Sequence, residues 1–128
     1  MFFNDRIPVI GSGIYAGLRM VEVLSKTDKK LSDLVDSISK YYSTEEIKIH
    51  SPNDIKDRVI EDIKKYCINM RFNIDLTDGV KIIRPDSWAL IRVSNTGPNI
   101  TVRFEADTED KLFLIKREFT NLVKYFNK

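Results

Sequence analysis

Cysteine is almost absent: the 128 residues contain one, Cys67, so no internal disulfide can form. A chain without disulfides is expected in a reducing compartment. An excess of one charge sign is missing too, because 21 Lys and Arg stand against 19 Asp and Glu, for a formal net charge of +2. The signs are interleaved, as where Lys64 and Lys65 follow Glu61 and Asp62. Nucleic-acid binders gather Lys and Arg on one face, so no nucleic-acid partner is expected. No apolar run approaches the roughly 20 residues of a membrane-spanning helix, so no membrane partner is expected either. Met1 to Arg6 lack the charged-then-apolar order of a secretory signal. These absences together predict a soluble, cytoplasmic protein. With one histidine, His50, and no Cys/His spacing around it, a metal site is not indicated.

What is present is a hydrophobic fraction of 42%, enough for a packed core. The chain reads as two segments, 1–42 and 43–128. In the first, Ile14, Leu18, Val21 and Leu24 recur at the spacing of one helix face, with Ser12 as N-cap. After a polar break from Ser25 to Lys30, Leu31, Leu34, Val35 and Ile38 form a shorter stripe. Two narrow stripes cannot make a core between themselves, so this segment looks like a fragment whose partner surface lies elsewhere.

The second segment supplies the elements of a whole domain. Glu46 to His50 alternates as a strand. Ser51-Pro52-Asn53-Asp54 predicts a helix start with Ser51 as the cap. Ile55, Val59, Ile63 and Tyr66 or Cys67 mark that helix's buried face. Phe72–Leu76, an Asp78-Gly79 turn and Val80–Arg84 read as a hairpin. Trp88–Val93 and Ile100–Ala106 are two further strands, and Asp107 is placed to cap a last helix striped by Leu112, Ile115, Phe119, Leu122 and Phe126. The order β-α-β-β-β-β-α, or four strands where one pair is merged, predicts a two-layer α+β domain. Its four-stranded, mostly antiparallel sheet carries two helices on one face.

Between the last two strands lies Arg92-Val93-Ser94-Asn95-Thr96-Gly97-Pro98. Arg92 offers a planar fork suited to phosphate oxygens. Ser94 and Thr96 offer hydroxyls and Asn95 an amide. Gly97 permits positive φ, which lets backbone N–H groups converge on an anion, and Pro98 stiffens the exit. No carboxylate lies within the loop. From residue types alone an ordinary hairpin turn is the simpler reading, since Ser, Asn, Gly and Pro are turn residues.

That stretch resembles the R-x-S-[NG]-T-x-P phosphate-binding loop of the α-D-phosphohexomutases, the family of phosphomannomutase and phosphoglucomutase. The flanks agree. Asp78-Gly79-Val80 resembles the family's D-G-hydrophobic turn, and Trp88-Ala89-Leu90-Ile91-Arg92 its G-W-[AG]-L-[VI]-R run. Arg103-Phe104-Glu105-Ala106-Asp107-Thr108-Glu109 resembles R-F-E-A-x-T-E. Phe2-Phe3-Asn4-Asp5-Arg6 with Gly13-Ile14-Tyr15-Ala16-Gly17-Leu18-Arg19 is similar to the end of the third domain. There the chain departs from the pattern, with Gly11-Ser12 in place of paired aspartates and Ile7, Pro8 and Val9 before them.

The resemblance implies a helical remnant of the sugar-binding third domain over 1–42 and the phosphate-binding fourth domain over 43–128, a fold of the TATA-box-binding-protein-like kind. It implies that Arg92, Ser94, Asn95 and Thr96 grip the phosphate of a hexose phosphate, while Gly97 and Pro98 shape the loop. The family's phosphoserine, its Mg²⁺-holding D-x-D-x-D-R loop and its sugar-reading G-E-[MY]-S-G-H loop do not occur here. No catalytic residue, metal ligand or cofactor of this chain is therefore expected, and it is expected to be inactive as an isomerase alone. Weak binding of a hexose phosphate is expected, with the missing mutase domains on another chain as a candidate partner. The competing reading is a small α+β protein-interaction module without a ligand, indifferent to Arg92.

Other residues carry simpler expectations. Cys67 reads as a core residue and Trp88 as core packing rather than a sugar-stacking platform. Arg103 fits a solvated sheet face, and Asp75 and Asp78 fit solvated turns rather than an acid pair.

Overall fold

The computed structural model describes residues 2–3 and 10–128. The Asn4-Asp5-Arg6 part of the N-terminal motif, and Ile7 to Val9, lie outside the described residues. Two compact units divide between Ser39 and Lys40, slightly ahead of the expected boundary after Tyr42, because Tyr42 belongs to a strand of the second unit.

In the first unit, β1 (Phe2–Phe3) pairs antiparallel with β2 (Ile10–Gly11). Helix α1 (Gly13–Ser25) starts where Ser12 Oγ accepts the Tyr15 N–H at 3.1 Å, the cap expected from sequence. A short α2 (Leu31–Asp36) follows. Neither helix buries a residue, and the α1 stripe stands in solvent, with Ile14 82%, Leu18 62% and Val21 63% exposed.

The second unit holds β3 (Tyr42–Ser43), β4 (Ile47–His50), α3 (Lys56–Asn69), β5 (Ile74–Asp75), β6 (Val80–Arg84), β7 (Ser87–Val93), β8 (Asn99–Ala106) and α4 (Glu109–Phe126). Every strand pairing is antiparallel, as the short turns between β5, β6, β7 and β8 require of those three pairs. The sheet runs β3-β8-β7-β6-β5, with β4 also on β8. It therefore has six strand segments where four were expected. The excess arises because β3 and β4 share one edge of β8: Tyr42 and Ser43 pair with Ala106 and Glu105, while Ile47 to His50 pair with Val102 to Asn99. At the opposite edge β5 adds only two residues.

Period-two alternation sets the two faces of the sheet. Val80, Ile82, Ala89, Ile91, Ile100, Val102 and Phe104 point to one side and are buried. There they meet Val59, Ile63 and Cys67 from α3 and Ile115, Phe119 and Val123 from α4. Phe72 meets both Tyr66 and Phe119 edge-on, with ring centroids 6.3 and 6.2 Å apart. The opposite parity, Lys81, Trp88, Leu90, Arg92 and Arg103, lies on the helix-free face.

Trp88 is thus half-buried on the open face, not in the core. Its Nε1 donates to Glu105 at 3.2 Å and Lys81 Nζ lies 4.7 Å from its ring centroid. It shares parity with Arg92, whereas the core belongs to Ala89 and Ile91.

Both predicted helix caps in this unit shift. Ser51 does not cap α3, which begins at Lys56. The Pro52 carbonyl accepts the N–H groups of both Ile55 and Lys56, so a tight turn does the capping. The Ser51 hydroxyl is buried with no hydrogen-bond partner among the described residues. On α4 the cap is Thr108, whose Oγ1 accepts from Lys111 N–H, and the Asp107 carboxylate instead accepts from Lys111 Nζ at 2.9 Å. At its far end α3 closes with Arg71 at φ 57°, where the Phe72 N–H reaches the Cys67 carbonyl at 3.0 Å. This is a Schellman ending with arginine where glycine is usual.

Candidate functional site

The last strands converge on the loop from Ser94 to Pro98. Arg92, one residue before the end of β7, lies on the open face directly across the ladder from Thr101 of β8. Ser94 N–H donates to the Asn99 carbonyl at 2.9 Å and Asn99 N–H to the Gly97 carbonyl at 2.8 Å, which closes the turn. Inside it, the hydroxyls of Ser94 and Thr96 lie 3.3 Å apart and Thr96 N–H points at Ser94 Oγ at 3.4 Å. The N–H groups of Asn95 and Gly97 have no acceptor among the described residues.

The loop is tied down from outside. Ser51 N–H donates to the Pro98 carbonyl at 2.8 Å. Lys56 Nζ, in the first turn of α3, donates to the carbonyls of Ser94 at 3.0 Å and Gly97 at 3.3 Å. The Asn95 N–H, trans to the Ser94 carbonyl in one peptide unit, therefore points away from Lys56.

A cavity of about 180 Å³ opens beside the loop, lined by Glu46, Arg92, Val93, Ser94, Asn95, Thr96 and Thr101. The structure thus brings Arg92, Ser94, Asn95 and Thr96 around one space. Gly97 and Pro98 lie outside that lining. Gly97 does not take the positive φ anticipated for it; the glycine that does is Gly79, at φ 78° in the turn before β6. A Cβ on Gly79 would collide with the Ile91 carbonyl oxygen and would lie 2.9 Å from Arg92 Cα. Only glycine lets this turn pass so close to the backbone of Arg92.

Two carboxylates that sequence reasoning did not associate with the loop also reach Arg92. Its Nη2 donates to Glu46 Oε2 at 3.2 Å and its Nη1 to Asp78 Oδ2 at 3.4 Å. No carboxylate lies within the loop, but the fold delivers one from each side. The Arg92 side chain remains 40% exposed. Asp78 is a turn residue, as expected, but one with a partner. Asp75 caps its own turn, and the hydrogen bonds from Thr77 hold its carboxyl below the usual range.

A wider cleft of about 360 Å³ lies near Trp88. It is less suited to a ligand because its polar groups are mutually engaged. Arg84 makes a two-pronged pair with Glu118 at 2.9 and 2.7 Å, Asp86 pairs with Lys111 at 3.1 Å, and Glu105 accepts from Trp88. The smaller cavity is the one with unpaired donors.

Cys67 is buried in the core as expected, and loss of solvation, with a smaller push from the Glu118 charge, raises its thiol to about 11. His50 is exposed at the end of β4, and its carbonyl accepts from Asn127 Nδ2 at 2.7 Å. Arg103 stands on the solvated sheet face. Among the described residues no group of three or more His, Cys, Asp or Glu converges as a metal site would, and no helix is long and apolar enough to cross a membrane.

The family model described as "Phosphoglucomutase/phosphomannomutase, C-terminal domain" matches residues 44–122. The phosphomannomutase/phosphoglucomutase of Pseudomonas aeruginosa is 36% identical over 124 residues, covering 97% of this chain and 27% of that protein. The phosphoglucomutase of Neisseria gonorrhoeae is 33% identical over 126 residues, with the same two coverages. A crystal structure of a phosphoglucomutase/phosphomannomutase family protein from Burkholderia thailandensis superposes with a TM-score of 0.79 at 27% identity, covering 98% of this chain and 26% of that one. The chain spans about a quarter of the length of these relatives.

Proposed function

Because this chain belongs to the phosphoglucomutase/phosphomannomutase family and carries its C-terminal domain, we propose that the Arg92–Pro98 loop grips the phosphate of a hexose phosphate. The observation that carries the reading is the cavity itself. One guanidinium, the three hydroxyls of Ser94, Thr96 and Thr101 and an amide side chain share about 180 Å³ with the Glu46 carboxylate, and the Asn95 N–H is unspent.

The ion pairs of Arg92 do not stand against this. The pairs with Glu46 and Asp78 are exposed and worth about 0–1 kcal/mol each. They cost little to break when a phosphate dianion offers the fork two oxygens and a larger charge. The planar guanidinium carries five N–H donors, and two are in use here.

A grip on one end of a ligand is weak. Ordering costs subtract from the few bonds gained, so affinity on the order of millimolar, about −4 kcal/mol, is expected. On the same reading, the loop helps close a cleft whose other walls come from the remaining domains of the fold. Phosphoryl transfer depends on positioning and on stabilising charge at the transferred group. The residues described supply a hold on the substrate and no nucleophile, so the chain is expected to be inactive as a mutase by itself. We read the exposed α1 stripe of Ile14, Leu18 and Val21 as a surface that those other domains cover, in the same polypeptide or a second one.

The test is an NMR titration of the chain with glucose 6-phosphate up to about 30 mM, well above the millimolar affinity expected. Amide shifts should be largest from Ser94 to Gly97, and Arg92→Ala should abolish them. Shifts that are absent, or that persist without Arg92, refute the assignment and favour a module without a ligand.

A further inference from the structure

We propose that Lys56 is the positioning residue of the phosphate loop, fixing which way its peptide groups face and adding a positive charge to its outer side. The proposal rests on the reading of Arg92–Pro98 as a phosphate grip.

The geometry is specific. Lys56 Nζ bonds the carbonyl of Ser94, where the loop begins, and that of Gly97, where it ends. These partners lie 38 and 41 residues away in sequence, so the contact follows from the tertiary fold rather than from local chain geometry. Lys56 does not line the cavity, so it approaches the loop from outside. The Ser94 carbonyl drawn toward it turns the Asn95 N–H of the same trans peptide the other way, while the Gly97 carbonyl, whose peptide partner Pro98 has no N–H, anchors the loop's end. A loop with four turn-forming residues has many conformations of similar energy, and a two-point clamp selects among them.

The charge is unusual as well. Lys56 is half-buried, and among the described residues it has no carboxylate at ion-pair distance. A cation that is partly desolvated and held only by carbonyl dipoles favours an anion nearby. Arg92 is paired with two acids, whereas Lys56 meets only carbonyls.

The late start of α3 produces this arrangement. Had Ser51 capped the helix, Lys56 would lie well inside it. The Pro52–Ile55 turn instead places Lys56 at the head of the helix, next to the loop that Ser51 N–H binds through Pro98.

The experiment titrates inorganic phosphate into the full 128-residue chain and into Lys56→Met, Lys56→Arg and Arg92→Ala, following amide shifts at several salt concentrations. Lys56→Met keeps the aliphatic stem and removes the ammonium. It should weaken binding about tenfold, move the free-state amides of Ser94 to Asn99, and flatten the salt dependence of the affinity. Lys56→Arg, which can still donate to both carbonyls, should recover affinity to within roughly threefold. If Lys56→Met loses native Trp88 fluorescence, Lys56→Gln takes its place under the same criterion. Loop shifts that vanish in Arg92→Ala but survive at full affinity and unchanged salt dependence without the ammonium overturn this proposal alone. No Arg92-dependent shift in the wild-type loop overturns the phosphate reading, and this proposal with it.

Discussion

Replacing Gly79 with alanine tests whether the turn before β6 is built around Arg92. Two costs add. The backbone sits at φ 78°, a region that costs an L-residue about 1–2 kcal/mol. The new Cβ would also lie 2.7 Å from Arg92 Cβ and 2.9 Å from Arg92 Cα, in addition to its collision with the Ile91 carbonyl. These are backbone and first-carbon atoms, so no rotamer change relieves the clash, and overpacking of this kind costs roughly 1–3 kcal/mol. The total is about 2–5 kcal/mol, a large part of a typical domain's stability. The single tryptophan, Trp88, lies on β7 within the second unit, so its fluorescence follows that unit's unfolding in urea. At a slope of about 1–2 kcal/mol per molar, the midpoint should fall by around 2 M. Gly97→Ala is the control: its φ is ordinary and its nearest neighbour is the tip of the Asn99 side chain at 3.2 Å, so a loss below about 0.5 kcal/mol is expected. Equal shifts in the two variants would refute the argument, because the close approach to Arg92 would then cost nothing.

The Schellman ending of α3 predicts the opposite sign. Arg71→Gly should raise stability by about 1 kcal/mol, since glycine occupies φ 57° without penalty; a lower urea midpoint would contradict this. Cys67 predicts a pH dependence. Its thiol titrates at about 11 in the fold against an ordinary 9.0. Below pH 9.0 both states keep the proton and the thiol's contribution is intact; from there to about 11 the unfolded chain gives it up first, so stability falls as pH rises. The slope is worth roughly 2 kcal/mol across that window, and Cys67→Ala should lack it. A wild type and Cys67→Ala with parallel pH profiles would rule that out.

Local patterns carried most of the fold. The buried parity of Val80, Ile82, Ala89 and Ile91, the stripe on α4 and the Ser12 cap are short-range signals, each readable within a few residues. Misplaced features had two origins. Some turned on a choice between adjacent residues, as with Thr108 over Asp107, where either side chain could accept the N–H that opens α4. Others depended on pairing across the chain. Glu46 and Asp78 meet Arg92 over 46 and 14 residues, and no periodicity records that. Trp88 is different, since its side was legible: counting from Arg92 in steps of two places it on the open face. The preference of tryptophan for burial competed with that count, and the alternation prevailed.

The acids flanking Arg92 also bear on how a ligand arrives. Glu46 and Asp78 set two negative charges against the Arg92 guanidinium, so from beyond a Debye length of about 8–10 Å Arg92 itself draws no anion in. It acts only once an anion has arrived. Discrimination falls to the moment of touch, where only a group with several oxygens can offer Arg92 more than the carboxylate it gives up, and a passing chloride cannot.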